Sequence, residues 1–468
     1  MSLIDDLRRV LGGAHVLTGP DTERYGRDWM GRYVAEPLAV IRPGSTEEVS
    51  AALRLASAAG TPVVPISGNT GLVGGTMAPG QLMLSLERLN RIRDIRPEAQ
   101  VAVVEAGVIL SRLHDAAEAR GLYFPLWFGA RGSAMIGGAL STNAGGSNVL
   151  RYGSTRALCL GLEVVLADGR VLDLMGALHK DNSGYDLKQM FIGAEGTLGV
   201  ITAAVMKLVP QPRAHATATL AVPDLDTALS LLNRLREATG GLVEAFEFMP
   251  RTYMEQLAAK RPDLGQPFDR IHDVTILVEL AATAPRDTTP APDGTLPIVT
   301  LLEDTLAPLF DDGLLLDAIV AQTEAQRRRM WERREAAAEI TLGVEPAIDT
   351  DVALPLDKVS AFLDAALERL NRIDPGARTI TVAHLGDGNL HVTAFPTRDD
   401  PALHDRVVEA VEDIVLSLGG CFSAEHGVGL SKLSSMRRRK NPVALDVMGA
   451  IKAALDPQGL MNPGKVIP

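Results

Sequence analysis

Two short stretches of this chain carry residue types that could do chemistry. The first is Thr381-Val382-Ala383-His384-Leu385-Gly386-Asp387-Gly388-Asn389-Leu390-His391-Val392. Apolar residues flank Gly-Asp-Gly-Asn, the pattern of a β-hairpin turning at Asp-Gly. With Asp387 and Gly388 as the two turn residues, Gly386 stands against Asn389, Leu385 against Leu390 and His384 against His391. Opposed residues of an antiparallel pair share a face, with Cβ atoms roughly 5 Å apart. Two imidazoles so placed can hold one divalent ion. The second stretch, Ser423-Ala424-Glu425-His426-Gly427, offers Glu425 as a third ligand and His426 as a base. Two histidines and a carboxylate with open positions form a catalytic rather than a structural metal layout. The competing reading is two structural histidines, and spacing alone does not decide, because hairpin register is easily misassigned.

The bulk numbers bound the setting. A chain of 468 residues is too long for one ordinary domain. A net charge of −12, with 46% hydrophobic and 22% charged residues, describes a soluble globular protein. Its acidity argues against nucleic acid or an anionic membrane as main partner. Only Cys159 and Cys421 occur, so no disulfide framework is implied and the cytoplasm is the default. The opening Met1–Val10 segment reads as an amphipathic helix without the apolar core of a signal peptide. No uncharged run reaches the ~18 residues needed to span a bilayer. A peripheral contact at the inner membrane face stays compatible with this.

The elements that must position the two stretches follow from pattern. A strand over 37–43, a helix over 45–56 with Ser45 and Glu48 as capping box, and a strand over 62–66 give a β-α-β opening. Leaving that last strand, Ser67-Gly68-Asn69-Thr70-Gly71-Leu72 is a glycine-rich turn that can bring backbone N–H groups onto an anion. Residues 82–92 read as a strand running into a tight connection and 101–108 as another strand, with a helix near 110–120. Small residues then crowd the chain at Gly129, Ala130, Gly132, Ser133, Gly137, Gly138, Gly145 and Gly146. Such density means backbone running against something large and flat, or close packing between segments. A hairpin over 162–174 turns at Asp168-Gly169, and 184–208 supplies a helix, a glycine-rich turn and a strand. Beyond Pro210 and Pro212 come a strand at 216–221, a helix at 224–239, an exposed Pro- and Thr-rich loop at 283–296 and a helix at 297–310. The charged helix at 322–337 reads as a solvated face, and 355–370 is another amphipathic helix.

Three segments together carry a resemblance. Pro65-Ile66-Ser67-Gly68-Asn69-Thr70-Gly71, Ile136-Gly137-Gly138-Ala139-Leu140-Ser141-Thr142-Asn143-Ala144-Gly145-Gly146 and Ile192-Gly193-Ala194-Glu195-Gly196-Thr197-Leu198-Gly199-Val200-Ile201-Thr202 resemble the FAD-binding segments of vanillyl-alcohol-oxidase-type (PCMH-type) flavoproteins. The closest resemblance is to the D-2-hydroxyacid dehydrogenase branch: D-lactate dehydrogenase, the glycolate oxidase catalytic subunit and D-2-hydroxyglutarate dehydrogenase. It spans roughly 35–468.

The resemblance implies an α+β fold. A PCMH-type FAD-binding domain of two α/β subdomains over 1–212 precedes a substrate (cap) domain over 213–422, an antiparallel sheet flanked by helices. Residues 423–468 return to the flavin. Backbone around Pro65 and Ser67–Leu72 would hold the FAD pyrophosphate. Gly129, Ala130, Ser133, Ile136, Gly137, Gly138, Thr142, Asn143, Gly145 and Gly146, with Tyr152 and Gly153, would take the rest of the nucleotide and the isoalloxazine. Glu195, Gly196, Gly199, Val200, Ile201 and the tail Asn462 would complete the cofactor site. Some relatives attach the flavin through a His in the first loop; Asn69 stands here, so noncovalent FAD is expected. His384, His391 and Glu425 become the ligands of a divalent metal, zinc first among candidates. His426 becomes the base and Arg334, in Trp331-x-x-Arg334-Glu335, the anchor of the substrate carboxylate.

Three departures bear on the substrate. Relatives acting on 2-hydroxyglutarate carry a hydroxyl residue where this chain has Ala338, a Lys at Asp349 and an Asn at Thr393. A monocarboxylic acid such as D-lactate is therefore the favoured substrate, with D-2-hydroxyglutarate the alternative. Electrons would pass to an electron-transferring flavoprotein, a quinone or a cytochrome, and a homodimer is in keeping with such relatives. Two rivals stand beside this reading: a metal-independent flavin alcohol oxidase or dehydrogenase of the same fold, and a binding protein whose glycines only pack.

Overall fold

The computed structural model describes residues 2–468. The chain divides into two compact units. The first is assembled from residues 1–145, 153–210 and 425–468, and the second from 146–152 and 211–424.

The first unit holds two main sheets. One has the order β1 (Val16–Leu17), β2 (Ala39–Ile41), β4 (Leu82–Ser85), β3 (Val63–Ile66). Strands β2, β4 and β3 run parallel, linked through the helix Thr46–Ala58. Ser45 caps that helix by accepting from the Glu48 N–H at 3.2 Å, but the capping box expected there is not closed. The Glu48 carboxylate takes the Gly44 N–H instead, at 2.7 Å. As the edge strand, β3 would show open backbone groups. The chain's tail covers one side of it: the Val63 N–H donates to the Leu460 carbonyl at 2.8 Å, and the Val63 carbonyl accepts from the Asn462 N–H at 2.8 Å.

The other sheet of this unit is antiparallel, in the order β5 (Ile92–Arg96), β6 (Val101–Glu105), β10 (Val200–Lys207), β8 (Cys159–Val165), β9 (Val171–Leu174). The β8–β9 hairpin turns at Asp168-Gly169 as its sequence indicates, with Val165 paired to Val171. A short pair, β7 (Leu122–Tyr123) with β11 (Val209–Pro210), completes the unit's strands.

The second unit is built on one seven-stranded antiparallel sheet. Its strands are β12 (Ala214–Val222), β13 (Val243–Pro250), β14 (Val274–Ala282), β15 (Asp317–Val320), β16 (Ile348–Ala353), β17 (Arg378–His384) and β18 (Asn389–Phe395). Their spatial order is β15-β12-β14-β13-β17-β18-β16. Strand side chains alternate between faces, and the two faces differ in chemistry. One face presents Ala216, Ala218, Leu220, Ile276, Val278, Phe246, Phe248, Leu390 and Val392 to a single core. The helices Leu225–Thr239, Pro297–Asp311, Val359–Ile373 and Pro401–Ser417 lie over that core, burying residues such as Leu232, Leu302, Phe362 and Val411. The other face carries Thr217, Glu279, Glu247, His384, Asn389, His391, Thr393, Asp349 and Asp351. It is only partly covered, by the helices Arg251–Lys260 and Glu324–Glu335.

Among the described residues, no helix is long and apolar enough to cross a membrane.

Candidate active site

In the first unit the three glycine-rich segments come together. The loop after β3 brings Gly68 so near the second segment that a Cβ would sit 2.2 Å from the Ser133 carbonyl oxygen. A Cβ on Gly137 would meet Ala106 at 2.7 Å, and one on Gly138 would meet Ser67 at 3.1 Å. These glycines let the segments approach more closely than any side chain would allow. Gly71, Gly129 and Gly132 have no heavy atom within 4 Å of an added Cβ; the loops are open at those points.

Asn69 (52°), Asn143 (52°), Glu195 (51°) and Asn462 (41°), in the same loops and tail, are among the non-glycine residues that adopt positive φ. Such conformations persist where the surroundings impose them, and the hydrogen bonds show how. Asn69 donates to the Arg27 carbonyl at 2.8 Å and accepts from Thr76 at 2.7 Å. Asn143 accepts from Ser154 Oγ and the Arg156 N–H, both at 2.9 Å. Glu195, expected at the cofactor, spends its carboxylate on the Val428 and Gly429 N–H groups at 2.7 and 2.9 Å. Burial pushes that carboxyl above its ordinary range. Asn462 donates to the Gly75 and Glu195 carbonyls at 3.0 and 2.7 Å.

Two polar atoms in this region are buried without a hydrogen-bond partner: Ser67 Oγ and Asn462 Oδ1. Gly196 belongs to the same assembly, against Pro65, and Gly199 leads into β10 at Val200 and Ile201, packed on Val164. Gly146 and Tyr152 fall within the second unit, where the Tyr152 hydroxyl is hydrogen-bonded to Glu244.

The hairpin of the second unit forms, but not in the register expected. His384 pairs with Asn389, and Val382 with His391. The turn is the four residues Leu385–Gly388, not Asp387-Gly388 alone. The Asp387 and Gly388 N–H groups both donate to the His384 carbonyl, and the Asp387 carboxylate takes the Asn389 N–H at 3.2 Å. The slip is by two residues. Because the side-chain period is two, both histidines keep the same face as diagonal neighbours. Their ring centroids are 5.4 Å apart, edge to face.

Each imidazole has a carboxylate at Nδ1. Glu247 of β13 lies 2.9 Å from His384 Nδ1. An ionised carboxylate only accepts, so this nitrogen carries the proton and Nε2 is the atom on which the ring would take a metal. Asp351 of β16 lies 3.6 Å from His391 Nδ1, beyond hydrogen-bond range. Asp351 is itself held by Asn389 Nδ2 at 2.9 Å and the Ala424 N–H at 3.1 Å. Glu425 is the next residue along the chain. Its carboxylate is 3.9 Å from His426 Nε2, within the first unit.

The charged helix Glu324–Glu335 is not merely a solvated face. Arg327, Trp331 and Arg334 project from one side of it onto the polar face of the sheet. Arg334 is buried; its Nη2 forms an ion pair with Glu247 at 2.8 Å without hydrogen-bond alignment, and its Nε makes no hydrogen bond either. Burial opposes the charged form of Glu247, yet His384 and Arg334 together hold its carboxyl below the usual range.

Two turns earlier on the helix, Arg327 grips Glu279 through Nε and Nη2 at 2.7 and 2.6 Å. Thr217 and Trp331 also donate to Glu279, at 2.6 and 2.8 Å. His215 and Glu244 approach the same carboxylate, their ligand atoms all within 4.8 Å. With four donors on Glu279, that cluster is an ion-pair centre rather than a metal site. A β-bulge between Val243 and Ala245 turns Glu244 onto this face. Burial, first, and the neighbouring Glu279 raise its carboxyl to about 7.

Of the three departures, Asp349 and Thr393 prove to be cross-strand partners, with the Thr393 hydroxyl donating to Asp349 at 2.9 Å. Ala338 is exposed.

A domain described as the C-terminal domain of FAD linked oxidases matches residues 211–466, and an FAD binding domain matches 37–175. The chain belongs to the FAD-linked oxidases. A D-2-hydroxyglutarate dehydrogenase from Xanthomonas citri pv. viticola is 36% identical to this FAD-linked oxidase, over 98% of this chain and 96% of its own. The mitochondrial D-2-hydroxyglutarate dehydrogenase of Bos taurus is 36% identical over 99% of this chain and 82% of its own. These relatives put the oxidase in the D-2-hydroxyacid dehydrogenase branch of FAD-dependent oxidoreductases. The structure of p-cresol methylhydroxylase with substrate bound matches with a TM-score of 0.73 at 19% identity, over 99% of this chain and 96% of that one. That likeness concerns the fold.

The residues fit the cofactor. Ser67 Oγ and Asn462 Oδ1 are buried polar atoms awaiting a partner, and the open glycines leave backbone accessible where a nucleotide would lie.

Sequence reasoning missed Glu247, Glu279, Asp351 and Arg327. A carboxylate in an otherwise apolar strand, as in Val243–Pro250 and Val274–Ala282, is the signal that could have found the first two.

Proposed function

We propose that this FAD-linked oxidase converts a D-2-hydroxy acid to the 2-oxo acid. Bound FAD would supply the hydride acceptor, and a divalent cation, zinc first, would supply a Lewis acid for the 2-hydroxyl. The chain's own residues do the remainder. His384 and His391 with Glu425 are the ligand set, two imidazoles and a carboxylate, suited to such a cation. Arg334 binds the substrate carboxylate: its planar fork matches that group, and its buried Nε is an unsatisfied donor. His426 accepts the hydroxyl proton, a role suited to an imidazole. Ser67, Asn462 and the glycine segments seat the nucleotide noncovalently, since Asn69 offers no attachment point. The observation that carries the reading is the pair of histidines 5.4 Å apart on the polar sheet face that also holds the buried Arg334.

For the substrate's side chain, Asp349 and its partner Thr393 favour a short neutral group, as in D-lactate, because Asp349 would repel a second carboxylate. The names of the relatives favour D-2-hydroxyglutarate as the second reading. An electron-transferring flavoprotein, a quinone or a cytochrome would reoxidise the flavin.

The test is anaerobic bleaching of the flavin by a panel of D- and L-2-hydroxy acids, with and without a chelator. Bleaching by a D-acid that stops on chelation and returns with zinc is expected. Bleaching indifferent to chelation refutes the metal, and comparable rates for D-lactate and D-2-hydroxyglutarate refute the side-chain preference.

A further inference from the structure

The helix Glu324–Glu335 reaches the polar sheet face through two Arg–Glu pairs, and the two are not equivalent. Arg327 and Arg334 are seven residues apart, roughly 10 Å along one side of the helix. Glu279 receives four donors, two from Arg327 and one each from Thr217 and Trp331. That is a saturated carboxylate, and its task is complete once the helix is docked.

Glu247 differs. Fully buried beside Arg334 Nη2 at 2.8 Å, it takes its other short contact from His384 Nδ1 at 2.9 Å. Among the described residues, no hydroxyl or indole donates to it. Its partners are the side chain that anchors the substrate carboxylate and one imidazole of the metal pair, both assigned under the proposed function, on which this inference rests.

We propose that Glu247 is a positioning residue: a single buried carboxylate that fixes the tautomer and aim of His384 and, through Arg334, sets where the substrate carboxylate is held relative to that ring. The physical reason is rigidity. A metal-binding imidazole is held in orientation by a hydrogen bond to its other nitrogen, and loss of such a partner weakens metal binding. Sharing that partner with the anchoring guanidinium ties the two contact points of a 2-hydroxy acid, its oxygen at C2 and its carboxylate, to one side chain. Neither can drift without the other.

The alternative is that Glu247 only docks the helix, as Glu279 does, and the second pair supplies the control. FAD-loaded wild type, Glu247→Ala, Glu247→Gln and Glu279→Gln would be stripped with a chelator and titrated with zinc alone. The imidazole tautomers of the stripped proteins would be read by 15N NMR. A positioning role predicts zinc binding weakened about 10–100-fold in Glu247→Ala, with a loss in the same direction but smaller in Glu247→Gln, whose amide oxygen still accepts from Nδ1. The His384 ring should leave its Nδ1-protonated form in Glu247→Ala. With metal restored, KM for the hydroxy acid should rise in the Glu247 variants more than kcat falls. Glu279→Gln should lower stability but leave zinc affinity and the His384 tautomer as in wild type. If Glu247→Ala does not fold, Glu247→Gln against Glu279→Gln decides. Wild type that binds zinc, with Glu247 variants binding equally well, overturns the positioning role and spares the proposed function. Wild type that takes up no zinc overturns the metal reading itself.

Discussion

Glu244 offers a quantitative test of the electrostatics in the second unit. Its carboxyl is pushed from 4.5 to about 7, by burial first and by the Glu279 charge second, with Arg151, the Tyr152 hydroxyl and Arg327 pulling the other way. His215 also faces it, 4.0 Å away, and its own burial keeps that imidazole from taking a proton easily. One carboxylate oxygen, Oε1, is buried with no hydrogen bond.

A folded-state pKa above the unfolded value means that the native protein binds the proton more tightly. Stability is therefore unaffected below pH ~4.5, falls as pH rises through the interval to 7, and bears the full cost above it. That cost is about 3 kcal/mol, at ~1.4 kcal/mol per pH unit. Glu244→Gln keeps the acceptor for Tyr152 and removes the charge. It should raise the melting temperature at pH 8 by roughly 6–12 °C for a unit of this size and change it little at pH 4.5. The assay is thermal unfolding of wild type and variant across pH 4.5–8.5. A difference between the two that does not change with pH would refute the reasoning, because the whole effect is assigned to one titration.

Two further outcomes follow from the geometry. Gly68→Ala would place a Cβ 2.2 Å from the Ser133 carbonyl; backbone must move, at a cost of about 1–3 kcal/mol, and flavin content per purified chain should fall sharply, whereas full flavin occupancy would show that the contact yields without disturbing the cradle. Arg334→Lys keeps the charge but loses the fork, so kcat/KM for the hydroxy acid should drop about 10–100-fold, as expected for charge-assisted hydrogen bonds, mostly through KM; steady-state kinetics with unchanged KM would argue that this guanidinium does not hold the carboxylate.

Local signals carried much of the fold. Val63–Ile66, Thr46–Ala58, Leu225–Thr239 and the β8–β9 hairpin follow from alternation, helical period and turn chemistry. Where non-local packing decides, the sequence was less informative. The four-residue turn at Leu385–Gly388 is shaped by tertiary neighbours, since a Cβ on Gly388 would lie 2.2 Å from the Leu354 carbonyl and one on Gly386 would strike Leu150 at 2.6 Å. The histidines met anyway, because a slip by an even number preserves the face. Helix Glu324–Glu335 looked solvated because its residues are charged, but charges can face inward when strands such as β13 and β14 bring carboxylates to meet them. The bulge at Glu244 and the passage of 146–152 into the second unit leave no local mark.

The tail's hold on β3 has a consequence for how the protein is made. Strand β3 leaves the ribosome early, with one edge ready to pair. The residues that cover this edge, Leu460 to Asn462, emerge only after the whole of the second unit has been synthesised. Through that interval the nascent nucleotide-binding half carries an open strand edge, the feature by which incompletely folded chains associate. Premature termination between residue 210 and Leu460 would leave that edge permanently open, so such fragments should partition into aggregates rather than persist as apoprotein halves.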